Sequence, residues 1–235
     1  VLTKSGKFDR HVLSLTDAAN GVAQLIIIGE NTDATFMGLA SLEQMLDATT
    51  TAMPTVTISD YADLKERGII EGFYGKPYSC EVRKDLLRFM MRNKMNCYVY
   101  GPKSDVYHSG KWDEAYPTTL TESQRKSGFV TQQDLREFTS VAHQTKVSVV
   151  WAIHPGESLL EDNDVVSKIV GKFAKMYDLG FRQFAVFADD VGVPGTQSGM
   201  ELTATRISEI QRSMESRWNT TGANPADTIK PLRFT

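Results

Sequence analysis

Short apolar runs along the chain alternate with stretches in which apolar positions recur every three or four residues. Residues 22–28 form an apolar run closed by Gly29, which predicts a strand. Asp33 is placed to cap a following helix whose predicted apolar face holds Phe36, Leu39, Leu42 and Leu46. Residues 54–58 alternate like a half-buried strand. Together these predict a small α/β piece over residues 1–60, and the polar residues 61–67 read as the link into something else.

From Gly68 the rhythm becomes a repeated strand-then-helix unit. Residues 68–74 predict a strand, followed by a helix with Val82, Leu86, Phe89 and Met90 on one face. Residues 96–100 predict the next strand. After a long polar loop, Thr131 opens a helix with Leu135, Phe138 and Ala142 facing inward. Residues 147–153 are nearly all apolar, as in a strand covered on both faces. The helix after them shows Val166, Ile169, Val170, Phe173 and Tyr177, with Gly180 where a C-terminal cap glycine belongs. Residues 181–188 predict the fourth strand. Ser198 to Glu201 has the capping-box form before a helix carrying Leu202, Ile207, Ile210 and Met214, and residues 231–235 look like a fifth strand starting.

Alternating strands and crossover helices imply a parallel sheet, so the fold class is α/β. A closed (β/α)8 TIM barrel needs about 250 residues by itself. Only 168 follow residue 67, the difference between 235 and 67. The expectation is therefore about the first half of such a barrel over residues 68–235, truncated, and preceded by the C-terminal part of a small accessory domain.

Composition adds little that is specific. The chain is 41% hydrophobic and carries a net charge of −3, which argues against a nucleic-acid partner because such binders show a basic excess. No apolar run is long enough to cross a bilayer, so no membrane association is expected. Cys80 and Cys97 lack metal-like spacing, and a disulfide between them stays open. The start at Val1 leaves a removed leader open as well, with a secreted or periplasmic bacterial location favoured. Asn219-Thr220-Thr221 fits the glycosylation pattern, which is short enough to recur by chance.

Placement of the polar residues is more telling. In parallel α/β barrels the chemistry gathers at the carboxyl ends of the strands. Here those ends read Glu71-Gly72-Phe73-Tyr74-Gly75, then Gly101-Pro102-Lys103-Ser104-Asp105, then His154-Pro155-Gly156, then Asp189-Asp190. Adjacent carboxylates in a partly dry site push one pKa up, which favours a division between a proton donor and an anion. On the dipeptide alone, a capping or loop pair is an equal reading. A metal site with His154 as third ligand lacks ligands.

Taken with the strand residues before them, as residues 67–75, 96–105, 151–156 and 184–190, these four segments resemble in order and spacing glycoside hydrolase family 84, the β-N-acetylglucosaminidases that include the O-linked N-acetylglucosamine hydrolases. The resemblance covers roughly residues 20–190 and implies a retaining mechanism in which the substrate's own 2-acetamido oxygen attacks the anomeric carbon to form an oxazoline. It implies Asp189 as the residue that holds the acetamide N–H and Asp190 as the acid, then base. Gly72 is expected to offer its carbonyl to a sugar hydroxyl, Lys103 to donate to sugar hydroxyls, and Tyr74 to line the pocket. Glu71 is assigned to packing or a salt bridge and His154 to structure. No metal or cofactor is called for. The partner is an N-acetylglucosamine-containing glycan or glycoprotein, with the remaining strands expected beyond Thr235.

The chain departs from the family pattern at Ser104, where a second acidic residue is usual, and at Ala188, where an aromatic is usual. Truncation predicts that the piece alone is inactive. A catalytically inert sugar-binding form of the same fold is the alternative.

Overall fold

A computed structural model describes residues 1–17, 21–46, 53–189 and 196–235. The chain divides into two compact units. One comprises Val1–Gly68, Asp85–Cys97 and Gln144–Val147, and the other Ile69–Lys84, Tyr98–His143 and Ser148–Thr235.

The first unit is built on a three-stranded sheet. β1 (Phe8–Asp17) lies in the middle, with β2 (Ala23–Gly29) and β3 (Val56–Ala62) on either side. Both pairings are antiparallel, so the strands read from residues 22–28 and 54–58 never touch each other. β1 has no counterpart in the sequence reading, because the polar residues Asp9, Arg10 and His11 interrupt its alternation. β3 continues to Ala62, two residues into the stretch read as a linker.

α1 (Thr32–Met45) is capped by the side chain of Asn31, which accepts from Ala34 N at 2.8 Å. The expected cap, Asp33, instead places its charge in the first turn, where it suits the helix dipole. The expected apolar face is corrected too. Ala34, Met37, Gly38, Ala40 and Ser41 are buried, whereas Leu39 is 48% exposed. Small residues win because the helix backbone lies against the sheet: a Cβ at Gly38 would sit 2.4 Å from Ile27 Cγ2.

The second unit carries most of the strand-helix repeats, with Asp85–Cys97 and Gln144–Val147 belonging to the first. Its sheet has the order β4 (Gly68–Glu71), β5 (Cys97–Tyr100), β6 (Ser148–Ile153), β7 (Gln183–Val186) and β8 (Arg233–Phe234). β6 pairs in parallel with β7, and β7 with β8. Tyr98, Tyr100, Val150, Trp151, Ala152, Ile153, Phe184, Ala185 and Val186 have no exposed surface, as expected of strands covered on both faces.

α2 (Cys80–Arg92) buries Arg83, Leu87 and Met90 at helical spacing, while Phe89, expected on the inner face, is 53% exposed. A charged residue takes the inner face because it has a buried partner, Glu71. α3 (Glu122–Lys126) follows the loop after β5. α4 (Gln132–Gln144) starts at Thr131 as expected: Thr131 N donates to Asp134 Oδ2 at 2.7 Å, and Asp134 N to Thr131 Oγ1 at 3.1 Å.

After the short α5 (Ser158–Glu161), α6 (Val165–Asp178) buries Val165, Ile169, Lys172, Phe173 and Met176. It ends on Gly180 at φ +100, with Gly180 N donating to Tyr177 O and Phe181 N to Met176 O. That closure needs a left-handed residue, and glycine adopts it without strain. α7 (Gln197–Trp218) is capped by Thr196, whose hydroxyl accepts from Gly199 N, so the box expected from Ser198 is replaced by a cap two residues earlier.

Candidate active site

The ladder of the second sheet runs on past its formal strands. Phe187 N donates to Ile153 O at 2.8 Å, and Ala188 N to Thr235 O at 3.0 Å. This extension delivers Asp189 directly at the carboxyl end of β7. Asp190 lies outside the described residues.

Asp189 is held from two neighbouring strand ends. Its Oδ2 accepts a charge-assisted hydrogen bond from Lys103 Nζ, beyond the end of β5. Its main-chain oxygen accepts from His154 Nε2, beyond the end of β6, at 2.8 Å. A ring nitrogen bonded to a main-chain carbonyl suits the structural role expected for His154. Partial burial raises the Asp189 carboxyl, but the Lys103 hydrogen bond and charge outweigh it and leave the pKa below the usual carboxylate value. The contribution of this pair to stability is thus present above the unfolded carboxyl value and is lost as pH falls through the folded one. Lys103→Met is expected to move the Asp189 carboxyl upward, because burial is then opposed only by the backbone hydrogen bond and the His154 charge. Carboxyl-detected NMR titration checks this, and an unmoved midpoint would show that Lys103 is not the cause.

Lys103 is itself fixed. Its side chain is only 9% exposed. Its main-chain N–H donates to Phe73 O at 3.1 Å, which ties the loop after β5 to the loop after β4. Gly101 N donates to Glu71 O at 3.1 Å in the same way. Gly72 and Tyr74 sit on this β4 loop, and Tyr74 is 73% exposed. Gly72 has no positive φ, and a Cβ there would meet only Ile70 Cγ2, at 3.3 Å. Neither backbone strain nor severe crowding within the chain accounts for glycine at this position. Glu71 faces the interior, where both oxygens are taken up: Arg83 donates to them at 2.8 and 2.9 Å, Tyr98 Oη at 2.6 Å and Tyr78 N at 3.0 Å. It serves as a salt-bridge partner, as expected.

Several structural residues around the site are invisible in the sequence. Asp105 is buried and accepts from Tyr100 Oη, Tyr116 Oη and Tyr107 N. His108 donates from Nδ1 to Ala152 O at 2.7 Å, and burial lowers its pKa to about 4, so it stays neutral. Both stabilise the loop that carries Lys103. A polar loop in sequence gives no sign of such burial, because the partners lie on β5, β6 and the loop itself. Among the described residues no group of three or more His, Cys, Asp or Glu is arranged to hold a metal. The thiols of Cys80 and Cys97 are not joined in a disulfide. The Asn219 side-chain amide is engaged in both directions with the Ile229 backbone, a structural use of the glycosylation-like triplet.

A parallel α/β sheet with a lysine-paired aspartate at its carboxyl edge defines a class in which loops after the strands do the chemistry. The family description "NAGidase: beta-N-acetylglucosaminidase" matches residues 67–234, and the chain belongs to that β-N-acetylglucosaminidase family. Protein O-GlcNAcase of Rattus norvegicus and that of Mus musculus are each 32% identical to it over 125 residues, 53% of this chain. The chain spans 12% of the length of those relatives. Among solved structures, "Structure of CpGH84D" aligns over 99% of this chain and 36% of its own, at 30% identity and a TM-score of 0.73. "Structure of CpGH84B" aligns over 99% and 37%, at 28% identity and a TM-score of 0.68. The resemblance to glycoside hydrolase family 84 read from the four strand-end motifs agrees with these findings.

Proposed function

We propose that residues 68–235 form about the first half of a (β/α)8 catalytic barrel, preceded by the end of an accessory domain through Ala62 and a link at 63–67. The complete protein removes terminal β-linked N-acetylglucosamine from a glycan or glycoprotein. The observation that carries this reading is Asp189 at the carboxyl end of β7, ion-paired with Lys103 from beyond β5, within a chain of this family.

The mechanism retains configuration and uses no enzyme nucleophile. The 2-acetamido oxygen attacks the anomeric carbon as the bond to the aglycone oxygen breaks. Asp189 accepts the amide N–H, which orients the acetamide and favours the oxazoline. Asp190 gives its proton to the leaving oxygen, then takes one from the water that opens the ring. The depressed pKa of Asp189 suits the acceptor role, because an ionised carboxylate is the stronger acceptor. Gly72 offers its carbonyl to a hydroxyl, Lys103 donates to sugar hydroxyls, and Tyr74 lines the approach.

The test is run on the full-length protein with aryl β-glycosides. The N-acetylglucosaminide should be hydrolysed with the β-anomer released first, seen by proton NMR. The glucoside without the acetamide should not turn over above background. Equal turnover of both, or release of the α-anomer, sinks the assignment.

A further inference from the structure

The second unit contains a line of buried charges that the proposed chemistry does not use. Glu71 pairs with Arg83, and the Arg83 guanidinium carbon lies 4.7 Å from the centroid of the Tyr100 ring. Tyr100 Oη and Tyr116 Oη both donate to Asp105 Oδ2, at 2.6 and 2.7 Å. The Tyr116 ring in turn meets the Lys172 ammonium 4.8 Å from its centroid. That ammonium also lies 5.2 Å from the Trp151 ring and 5.7 Å from the Tyr107 ring. Charge therefore alternates along the line: carboxylate, guanidinium, carboxylate, ammonium.

The last two charges concern the loop between β5 and α3. Asp105 sits two residues beyond Lys103, and the Lys172 ammonium donates to the main-chain oxygen of Glu114 further along the same loop. Both side chains are buried. Aromatic faces relieve a desolvated ammonium only in part, and a buried carboxylate needs a cation as well as hydroxyl donors. Burial lowers the Lys172 amine to about 7, and Asp105 is the foremost charge opposing that shift. Asp105 thus answers part of the desolvation of Lys172.

We infer that Asp105 and Lys172 are coupled positioning residues that act through Tyr116 to fix the loop after β5 and so hold Lys103 against Asp189. This rests on Lys103 and Asp189 being site residues. The geometry supplies the rest. Tyr116 is the shared element: its hydroxyl serves Asp105, its ring serves Lys172, and its oxygen also accepts from Trp151 Nε1 at 3.3 Å. Removing Asp105 takes the foremost opposing charge from Lys172, and removing Lys172 leaves Asp105 with hydroxyl and amide donors, whereas removing both leaves neither charge to be compensated.

The test reads Lys103 directly and needs no turnover. The full chain is acetylated with an N-hydroxysuccinimide ester, and labelling of Lys103 is measured by peptide mass spectrometry relative to the exposed Lys126. Asp105→Asn and Lys172→Met should each raise relative labelling of Lys103 by about tenfold, a change within the range of coupled neighbours. The double variant should return most of the way to wild type, which a merely structural lesion would not do. Additive effects, or wild-type protection in both single variants, overturn the inference. If a single variant does not fold, Tyr116→Phe keeps the ring and removes the bridge. Raised Lys103 labelling in it supports the inference, and unchanged labelling overturns it. An inactive wild type would remove the functional reading and leave the labelling result standing.

Discussion

Asp190→Asn in the full-length protein is expected to slow hydrolysis of unactivated glycosides by roughly 10²- to 10⁴-fold, the usual contribution of a positioned proton donor. The same variant should retain much more activity on aryl glycosides with acidic phenols, because a phenolate leaves without being protonated. Asp189→Asn should slow both classes together. Its proposed task is to hold the acetamide while that group attacks, a demand that every substrate makes whatever its leaving group. The distinction is read from the slope of log kcat/KM against leaving-group pKa. It should steepen for Asp190→Asn and keep its wild-type value for Asp189→Asn. Parallel slopes for both variants would mean that the two carboxylates do not divide the work in this way.

Arg83→Met should cost about 3–5 kcal/mol of stability, the expected penalty for removing one partner of a buried ion pair. The loss is large because Glu71 has nowhere to go. Its oxygens would keep Tyr98 Oη and Tyr78 N as donors but would lose both guanidinium contacts in a fully buried setting. Methionine fills comparable volume, so the measurement isolates the charge more than the packing. Urea unfolding should show a lower midpoint at an unchanged slope. Adding Glu71→Gln to Arg83→Met should recover part of the loss, because no unpaired charge then remains. A single variant within 1 kcal/mol of wild type would show that the pair stabilises little in this fold.

The strand-helix alternation from Gly68 onward was legible because each parallel strand is a short apolar run and each helix has a regular period. The strand-end residues were legible for the same reason, since the end of an apolar run marks where a loop begins. Helix faces were not. Val82 and Phe89 looked like core on α2, yet Arg83 occupies that position because Glu71 lies twelve residues earlier on a strand. Lys172 is buried on α6 because three rings from elsewhere surround it. On α1 the leucines looked inward-facing, but close contact with the sheet selects Gly38 and its small neighbours. Hydrophobic periodicity ranks side chains by their own chemistry, whereas burial here is decided by partners distant in sequence. β1 was missed on the same grounds: His11 is buried within it, with Nε2 3.1 Å from Ser41 Oγ of α1.

Asp189 is restrained at two points, by an ammonium on its side chain and an imidazole on its backbone. Its rotamer is therefore chosen during folding rather than on the arrival of a sugar. In the proposed mechanism an incoming amide N–H need only exchange places with one N–H of Lys103, trading donor for donor at an oxygen already aimed. The entropy of ordering that side chain is spent in advance, and recognition at this point becomes a substitution of hydrogen bonds instead of a search for them.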